Sequence, residues 1–113
     1  MTVTIYHNPR CSKSRETLAL LHERGIEPVI VEYLRTPPSA AELKNILGML
    51  GIGPRDLLRR KEAAEAGIEP ENLSDDALIA AMAANPSAIE RPIVVTGGKA
   101  ALGRPPESVL KIL

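Results

Sequence analysis

The sequence predicts an α/β fold in which a β-α-β unit, an all-helical segment and a β-β-α unit follow one another. Three observations support it: a strand-like alternation at the N-terminus, a helix-then-strand succession directly after it, and a glycine-centred hairpin near the C-terminus. The 113 residues suit one compact domain. We therefore expect a single domain over residues 1–113, with a helical insertion over about 38–86.

The first predicted unit has a strand, a helix and a second strand. The stretch TVTIYH alternates polar and apolar residues, which predicts a strand that ends at Asn8-Pro9. A helix is predicted from about Ser12 to Arg24, with Gly25 as its stop. The β-branched stretch EPVIVEYL predicts the second strand. This succession favours a right-handed parallel connection.

The middle of the chain is predicted to be helical. After the double proline at 37–38, Ser39 and Glu42 have the spacing of a capping box, and leucine and isoleucine then recur on one helical face. The stretch PRDLLRR predicts a short helix. Ser74 is a predicted N-cap of a further helix that ends before Pro86.

The C-terminal part is predicted to form a hairpin and a last helix. RPIVVTGGKAALG predicts two strands that turn at Gly97-Gly98, and PPESVLKIL predicts a helix beginning at Pro105 or Pro106. The whole order is the thioredoxin/glutaredoxin pattern with an all-helical insertion between its halves. In such a sheet the functional position is the turn from the first strand into the first helix, where Cys11 lies.

Composition argues against several classes of function. Lys+Arg and Asp+Glu are both 14, the formal net charge is zero, and Phe and Trp are absent. A basic surface or a stacking platform for nucleic acid is therefore not expected. No apolar run approaches the length of about 18 residues that a membrane span needs, and no basic n-region of a signal peptide is visible. We expect a cytoplasmic protein without nucleic-acid or membrane partners.

The stretch YHNPRCSKSR contains the only cysteine. A lone cysteine excludes an internal disulfide, and with only two histidines in the chain we expect no metal site. A helix N-terminus carries unpaired N–H groups and a partial positive charge, which bind oxyanions and stabilise a thiolate. Ser14 can hydrogen-bond the thiolate or a bound anion. Positive field is expected from four neighbours: His7, Arg10, Lys13 and Arg15.

Ordinary alternatives exist for these residues. A single cysteine is commonly a small buried hydrophobe, but Cys11 lies between Arg10 and Ser12 rather than in an apolar run. A histidine at a strand end, such as His7, can simply satisfy a loop hydrogen bond, and arginines are commonly solvated. A phosphatase loop would need an arginine where Thr17 stands. A dithiol oxidoreductase would need a second cysteine three positions after the first, so a single activated thiol remains.

Four blocks of the sequence resemble the glutaredoxin-linked arsenate reductases. IYHNPRCSKSRETL is similar to that family's active-site segment, EYLRTPPS to its second strand and proline break, RDLLRRKE to its short arginine helix, and ERPIVVTGGKAALGRPPESVL to its C-terminal hairpin and helix. The blocks cover almost the whole chain in the family's order.

The resemblance assigns roles to individual residues. It implies that Cys11 is the nucleophile and that His7 helps to lower its pKa. Arg91 and Arg104 match arginines that surround the oxyanion. Arg59 matches a third, although the adjacent Arg60 is an alternative.

Two further residues join this predicted site. We expect Ser14 to act with Cys11, and Arg15 to act with the substrate-binding arginines. The resemblance also implies that the Arg91-Pro92 peptide bond is cis.

The activity implied is reduction of arsenate to arsenite by a monomer without a bound cofactor. Glutathione is the expected co-substrate and glutaredoxin the expected protein partner. Two alternatives stay open: a non-enzymatic thioredoxin-like regulator or adaptor that binds a protein partner, and a monothiol enzyme that acts on glutathione mixed disulfides.

Overall fold

The computed structural model describes residues 2–113, which form two units. The first unit combines the N-terminal segment through Thr36 with Arg91–Leu113, and the second is Pro37–Glu90. Each unit has its own secondary structure and buried residues. The helical segment predicted over about 38–86 falls within the second unit.

The first unit contains a four-stranded sheet with the strand order β2-β1-β3-β4. β1 pairs with β2 in parallel and with β3 antiparallel, and β3 pairs antiparallel with β4. The predicted parallel connection and hairpin are therefore confirmed. The strands are β1 (Val3–His7), β2 (Val29–Glu32), β3 (Ile93–Thr96) and β4 (Lys99–Leu102).

The core of the first unit is aliphatic. Ile5, Leu21, Val94 and Val109 are fully buried in one cluster, and burying side chains of this size contributes about 1.5–3 kcal/mol each. They come from β1, from helix α1 (Ser12–Glu23), from β3 and from the C-terminal helix. The cluster therefore packs α1 and the C-terminal helix against the sheet.

The C-terminal helix differs from the prediction in type. Residues Pro106–Ile112 form a 3₁₀-helix rather than an α-helix. The 3₁₀ geometry, with its i→i+3 bonds, is typical of short helical pieces, and the N–H of Ser108 donates to the carbonyl of Pro105 in this way.

The hairpin turn requires its two glycines. Gly97 and Gly98 have φ angles of 56° and 76°, the left-handed conformation that a tight two-residue turn demands and that side chains disfavour. The predicted turn is confirmed.

The second unit is all-helical. Ser39 and Glu42 form the predicted capping box, and Ser74 accepts a hydrogen bond from the N–H of Ala77 as the predicted N-cap. The elements are α2 (Ala40–Leu50), α3 (Pro54–Leu57), α4 (Arg60–Glu65), α5 (Asp75–Ala84) and two 3₁₀ turns, Pro70–Asn72 and Pro86–Ala88.

The predicted helix PRDLLRR is interrupted. Leu58 and Arg59 are extended, with ψ angles of 132° and 105°. Leu58 forms an antiparallel bridge with Ile89, and the N–H of Arg59 donates to the carbonyl of Ala88 at 2.7 Å. These bonds replace helical ones, so Arg59 lies directly before α4.

Two general properties of residues 2–113 bear on function. None of the helices in this part of the chain is long and apolar enough to cross a membrane. Within the same residues, no group of three or more His, Cys, Asp or Glu side chains is arranged to hold a metal ion.

Candidate active site

Cys11 is the N-cap residue of α1, at the end of the loop that leaves β1. Its extended backbone (φ −92°, ψ 123°) turns the chain into the helix. The Cys11 N–H donates to the carbonyl of Asn8, and the Cys11 carbonyl accepts from the N–H of Arg15, both at 3.0 Å. The side chain remains partly exposed, so the sulfur is held at a helix N-terminus within reach of solvent.

The pKa of the Cys11 thiol is lowered from its ordinary value. Burial opposes this shift, but the backbone N–H groups of Ser14 and Lys13 and the guanidinium of Arg91 favour the thiolate and outweigh burial. The N–H groups in the first turn of α1 thus stabilise the thiolate in the way that a helix N-terminus stabilises a bound anion. The arrangement favours the thiolate form of Cys11.

Two arginines from the C-terminal half reach this sulfur. Nη2 of Arg104 donates to Sγ of Cys11 at 3.5 Å, and Nε of Arg104 donates to the carbonyl of Arg91 at 2.8 Å. Arg91 hydrogen-bonds the Cys11 thiolate. The Arg91–Pro92 peptide bond is cis, as the resemblance implied, and the Arg104–Pro105 bond is cis as well, which the sequence did not predict.

Ser14 and His7 form a buried pair behind the sulfur. Nδ1 of His7 lies 2.6 Å from Oγ of Ser14, which also accepts the N–H of Asn8 at 3.0 Å. Ser14 therefore has two roles. Its backbone N–H hydrogen-bonds the Cys11 thiolate, and its hydroxyl connects α1 to the end of β1 through hydrogen bonds. His7 thus contacts the residue whose backbone N–H hydrogen-bonds the thiolate.

Burial lowers the pKa of His7. The nearby Glu32 carboxylate raises it and the Arg15 guanidinium lowers it further, and the net direction is downward. His7 is therefore a neutral imidazole at pH 7. Any help that it gives to the Cys11 thiolate passes through Ser14 rather than through a positive charge.

The side chain of Arg15 folds back over the loop before Cys11. Its Nη1 donates to the carbonyl of Pro9 at 3.0 Å, and its charge acts on His7. The backbone of Arg10 is fixed in the same loop by a 3.0 Å hydrogen bond from its N–H to Oδ1 of Asn8. Both residues thus order the loop that presents the sulfur.

Arg59 belongs to the helical unit and is bound there by two carboxylates. Nε donates to Glu62 at 3.0 Å and Nη1 to Glu90 at 2.6 Å, and only 22% of the side chain is exposed. Burial opposes its charge, but the two carboxylates raise its pKa overall. The adjacent Arg60 is exposed, 4.0 Å from Glu71.

Gly103 is a position that the sequence analysis missed. A Cβ here would lie 2.4 Å from Oγ1 of Thr17 and 2.7 Å from Cγ of Pro92, so only glycine fits. Its N–H donates to the carbonyl of Pro92 at 2.9 Å, and the next residue is Arg104. A glycine at a strand end was the available signal, since it marks a close approach of two backbones.

In the first unit the structure brings together Cys11, His7, Ser14, Arg91 and Arg104. A thiolate beside guanidinium groups and a helix N-terminus can attack an electrophilic centre that carries negative oxygens. The arginines neutralise charge that would otherwise repel the sulfur.

Known proteins are similar to this chain over most or all of its length. Residues 6–112 match the model of the ArsC family. An arsenate reductase from Haemophilus influenzae is 49% identical over 100% of both chains, and the uncharacterized protein YfgD from Escherichia coli is 56% identical over 98% of this chain and 96% of its own. The solved structure of an arsenate reductase from Vibrio cholerae is 56% identical and superposes with a TM-score of 0.94, covering 100% of this chain and 98% of that one. On these matches, together with the thioredoxin-like α/β fold, the chain belongs to the ArsC family.

Proposed function

We propose that this protein is an arsenate reductase that uses Cys11 as its nucleophile and glutathione and glutaredoxin as its electron donors. The observation that carries the proposal is the Cys11 sulfur at the N-terminus of α1, with Nη2 of Arg104 at 3.5 Å. The names of relatives that are 49% identical to the chain support the choice of substrate.

The first proposed step joins arsenic to sulfur. The Cys11 thiol reacts with H₂AsO₄⁻ to give Cys–S–AsO₃H⁻ and water, so an As–S bond forms and an As–O bond breaks. The thiolate is the attacking species, and the lowered pKa of the Cys11 thiol increases the fraction present as thiolate. Arg91 and Arg104 offset the charge of arsenate and stabilise the charge that builds up on its oxygens.

Glutathione then adds to the adduct. Its thiol replaces a second arsenic oxygen, giving Cys–S–AsO₂⁻–SG and another water. Both steps are substitutions that leave arsenic as As(V). The second thiol comes from outside because the chain has one cysteine.

Glutaredoxin supplies the last thiol. Its thiolate attacks the glutathione sulfur, and the electron pair of the As–SG bond passes to arsenic, which becomes As(III). The products are a glutaredoxin–glutathione disulfide and Cys–S–As(OH)O⁻, which water hydrolyses to As(OH)₃ and the Cys11 thiolate. The two electrons thus come from the two external thiols.

Other side chains have supporting roles in this proposal. His7 and Ser14 hold the first turn of α1 in register with the end of β1, and Arg15 orders the loop before Cys11. Arg59 is proposed as a further substrate-binding arginine from the resemblance.

We also propose that residues 1–113 act as a single-domain monomer in the cytoplasm. The length suits one domain, and the expected thiol donors are found in reducing compartments, which supports the proposed location.

Steady-state arsenite production tests the proposal. The reduced protein should form no catalytic arsenite from arsenate alone, and glutathione plus glutaredoxin should start turnover. Cys11→Ser should abolish turnover while its circular dichroism spectrum stays that of the wild type. Turnover by the serine variant, or repeated turnover by wild type without added thiol, would refute this mechanism.

The same assay separates the alternatives. A monothiol enzyme would reduce a glutathione mixed disulfide but not arsenate, and a regulator or adaptor would reduce neither. Mass spectrometry should find arsenic or glutathione attached only through Cys11.

A further inference from the structure

A groove lies beside the loop that carries Cys11, within the first unit. Residues 7–10 form one wall, Glu32, Leu34 and Arg35 form the other, and the cavity volume is about 290 Å³. This volume is close to the lower end of the range of small-molecule sites, about 300–1,000 Å³. The groove has room for a ligand about the size of a tripeptide.

The groove has a particular charge pattern. Arg10 and Arg35 supply two cations, and Glu32 supplies one carboxylate. The only ion pair that the structure gives among these three is a loose one, with Nε of Arg35 3.9 Å from Oε1 of Glu32, and the two side chains are 84% and 46% exposed. A pair this exposed and this long contributes little and can be exchanged for a ligand's charges.

The loop wall is connected to the nucleophile. Arg10 immediately precedes Cys11, and its backbone is fixed by the hydrogen bond to Asn8. His7 lines the groove, and its Nδ1 lies 2.6 Å from Oγ of Ser14. The backbone N–H of Ser14 in turn hydrogen-bonds the Cys11 thiolate. A ligand in the groove therefore lies along the segment that ends at the sulfur.

We propose that this groove binds glutathione for its attack on the Cys11–arsenic adduct, an inference that rests on the proposed function. Glutathione has two carboxylates and one ammonium group, the complement of two arginines and one glutamate. Leu34, 45% exposed, offers apolar surface to its methylene groups. Arg10 lines the groove and is the residue directly before Cys11, so glutathione bound there lies beside the loop that carries the sulfur.

The groove provides glutathione with a binding site separate from the arginines that bind arsenate. Arsenate takes the donors of Arg91 and Arg104, so glutathione needs cations of its own. Arg10 and Arg35, which line the groove, supply them. In the addition step the glutathione thiol forms an As–S bond, one As–O bond breaks and the oxygen leaves as water.

Binding of S-methylglutathione, followed by NMR titration of the reduced protein, tests the groove without arsenate. Wild type and Cys11→Ser should bind it equally, with shifts at residues 7–10 and 32–35. The Arg10→Ala/Arg35→Ala double variant should bind at least tenfold more weakly. Arg24→Ala removes an exposed cation that does not line the groove and should bind like wild type.

The outcomes distinguish this proposal from the proposed function. Binding in the groove by a protein that never reduces arsenate would leave the groove in place and refute the function. Normal arsenate reduction, with the glutathione KM of the double variant unchanged and no shifts in the groove, would refute the groove alone. Equal losses in Arg24→Ala and the double variant would also refute it, because net charge would then explain the binding.

Discussion

Arg59 and Arg104 carry the same side chain but have different partners. Arg59, in the helical unit, contacts the carboxylates of Glu62 and Glu90. Arg104, in the sheet unit, contacts the sulfur of Cys11 and the carbonyl of Arg91. The first guanidinium is neutralised by two anions, whereas the second directs its positive charge at a thiol and a neutral oxygen.

The comparison shows that the partners of an arginine determine whether it has a structural or an anion-binding role. Two carboxylates around a largely buried guanidinium order the backbone near Arg59 and compensate its charge. Contacts with a thiol and a carbonyl oxygen place the Arg104 guanidinium beside the sulfur, where its charge acts on the sulfur and on an incoming oxyanion. We therefore expect changes at Arg59 to appear first in stability, and changes at Arg104 to appear first in anion binding.

The largest effect is expected for Gly103→Ala, which should displace Arg104 and leave Arg59 unchanged. The new Cβ overlaps Thr17 and Pro92, and overpacking of this kind costs about 3 kcal/mol of unfolding free energy. Because Arg104 is the next residue, the pKa of Cys11 should also rise. Urea denaturation and a thiolate titration measure the two effects.

Gly48→Ala is the matched control, since nothing lies within 4 Å of its Cβ position in α2. It should stabilise the protein slightly and leave Cys11 unchanged. A wild-type pKa and stability in Gly103→Ala would show that the close packing does not position Arg104.

Arg59→Ala tests the structural side of the comparison. It leaves the carboxylates of Glu62 and Glu90 half-buried without their shared partner, which should cost about 2 kcal/mol of unfolding free energy. The exposed neighbour is the control: Arg60→Ala should stay within about 0.5 kcal/mol. Equal stabilities of the two variants in urea denaturation would contradict the assigned role.

Arg104→Lys and Arg91→Lys test the anion-binding role of these two arginines. An ammonium group cannot provide the forked donor pair, so arsenate affinity or turnover should fall about tenfold, or about 1.4 kcal/mol. Because Arg104 is exposed, stability should change by less than about 0.5 kcal/mol in Arg104→Lys. Near-normal kinetics in both lysine variants would refute the oxyanion site.

A smaller effect is expected in the pH dependence of stability. The pKa of His7 is lower in the folded protein than its ordinary 6.5, so the unfolded chain binds more protons just below that pH. The stabilisation is complete above pH 6.5 and is lost as the pH falls toward the folded value. His7→Gln should flatten the stability profile in that range, and an unchanged profile would contradict the buried neutral imidazole.

Much of the fold could be predicted because local signals agreed with tertiary structure. The cap at Ser39, the cap at Ser74 and the Gly97-Gly98 turn each report a local hydrogen bond or a backbone angle. The break at Leu58 could not be predicted, because its bridge to Ile89 joins residues far apart in sequence. Local patterns predict caps and turns, while contacts over long separations override them.

The site could be predicted only in part for the same reason. The position of Cys11 follows from the adjacent strand and helix patterns. The tie between His7 and Ser14, the approach of Arg104 to the sulfur and the packing of Gly103 on Thr17 depend on how the sheet folds over α1. No periodicity in the sequence contains that information.

The most direct test of the central claim is a pH titration of the Cys11 thiolate absorbance in wild type and Arg104→Lys. The Ser14 and Lys13 amides and the Arg91 guanidinium lower the pKa of the thiol against the effect of burial. Because Nη2 of Arg104 lies 3.5 Å from the sulfur, we expect its charge to lower that pKa further. We predict a wild-type midpoint below the ordinary cysteine value and a higher midpoint in the variant. A wild-type midpoint at or above the ordinary value would contradict the account, because the proposed nucleophile would then lack its activation.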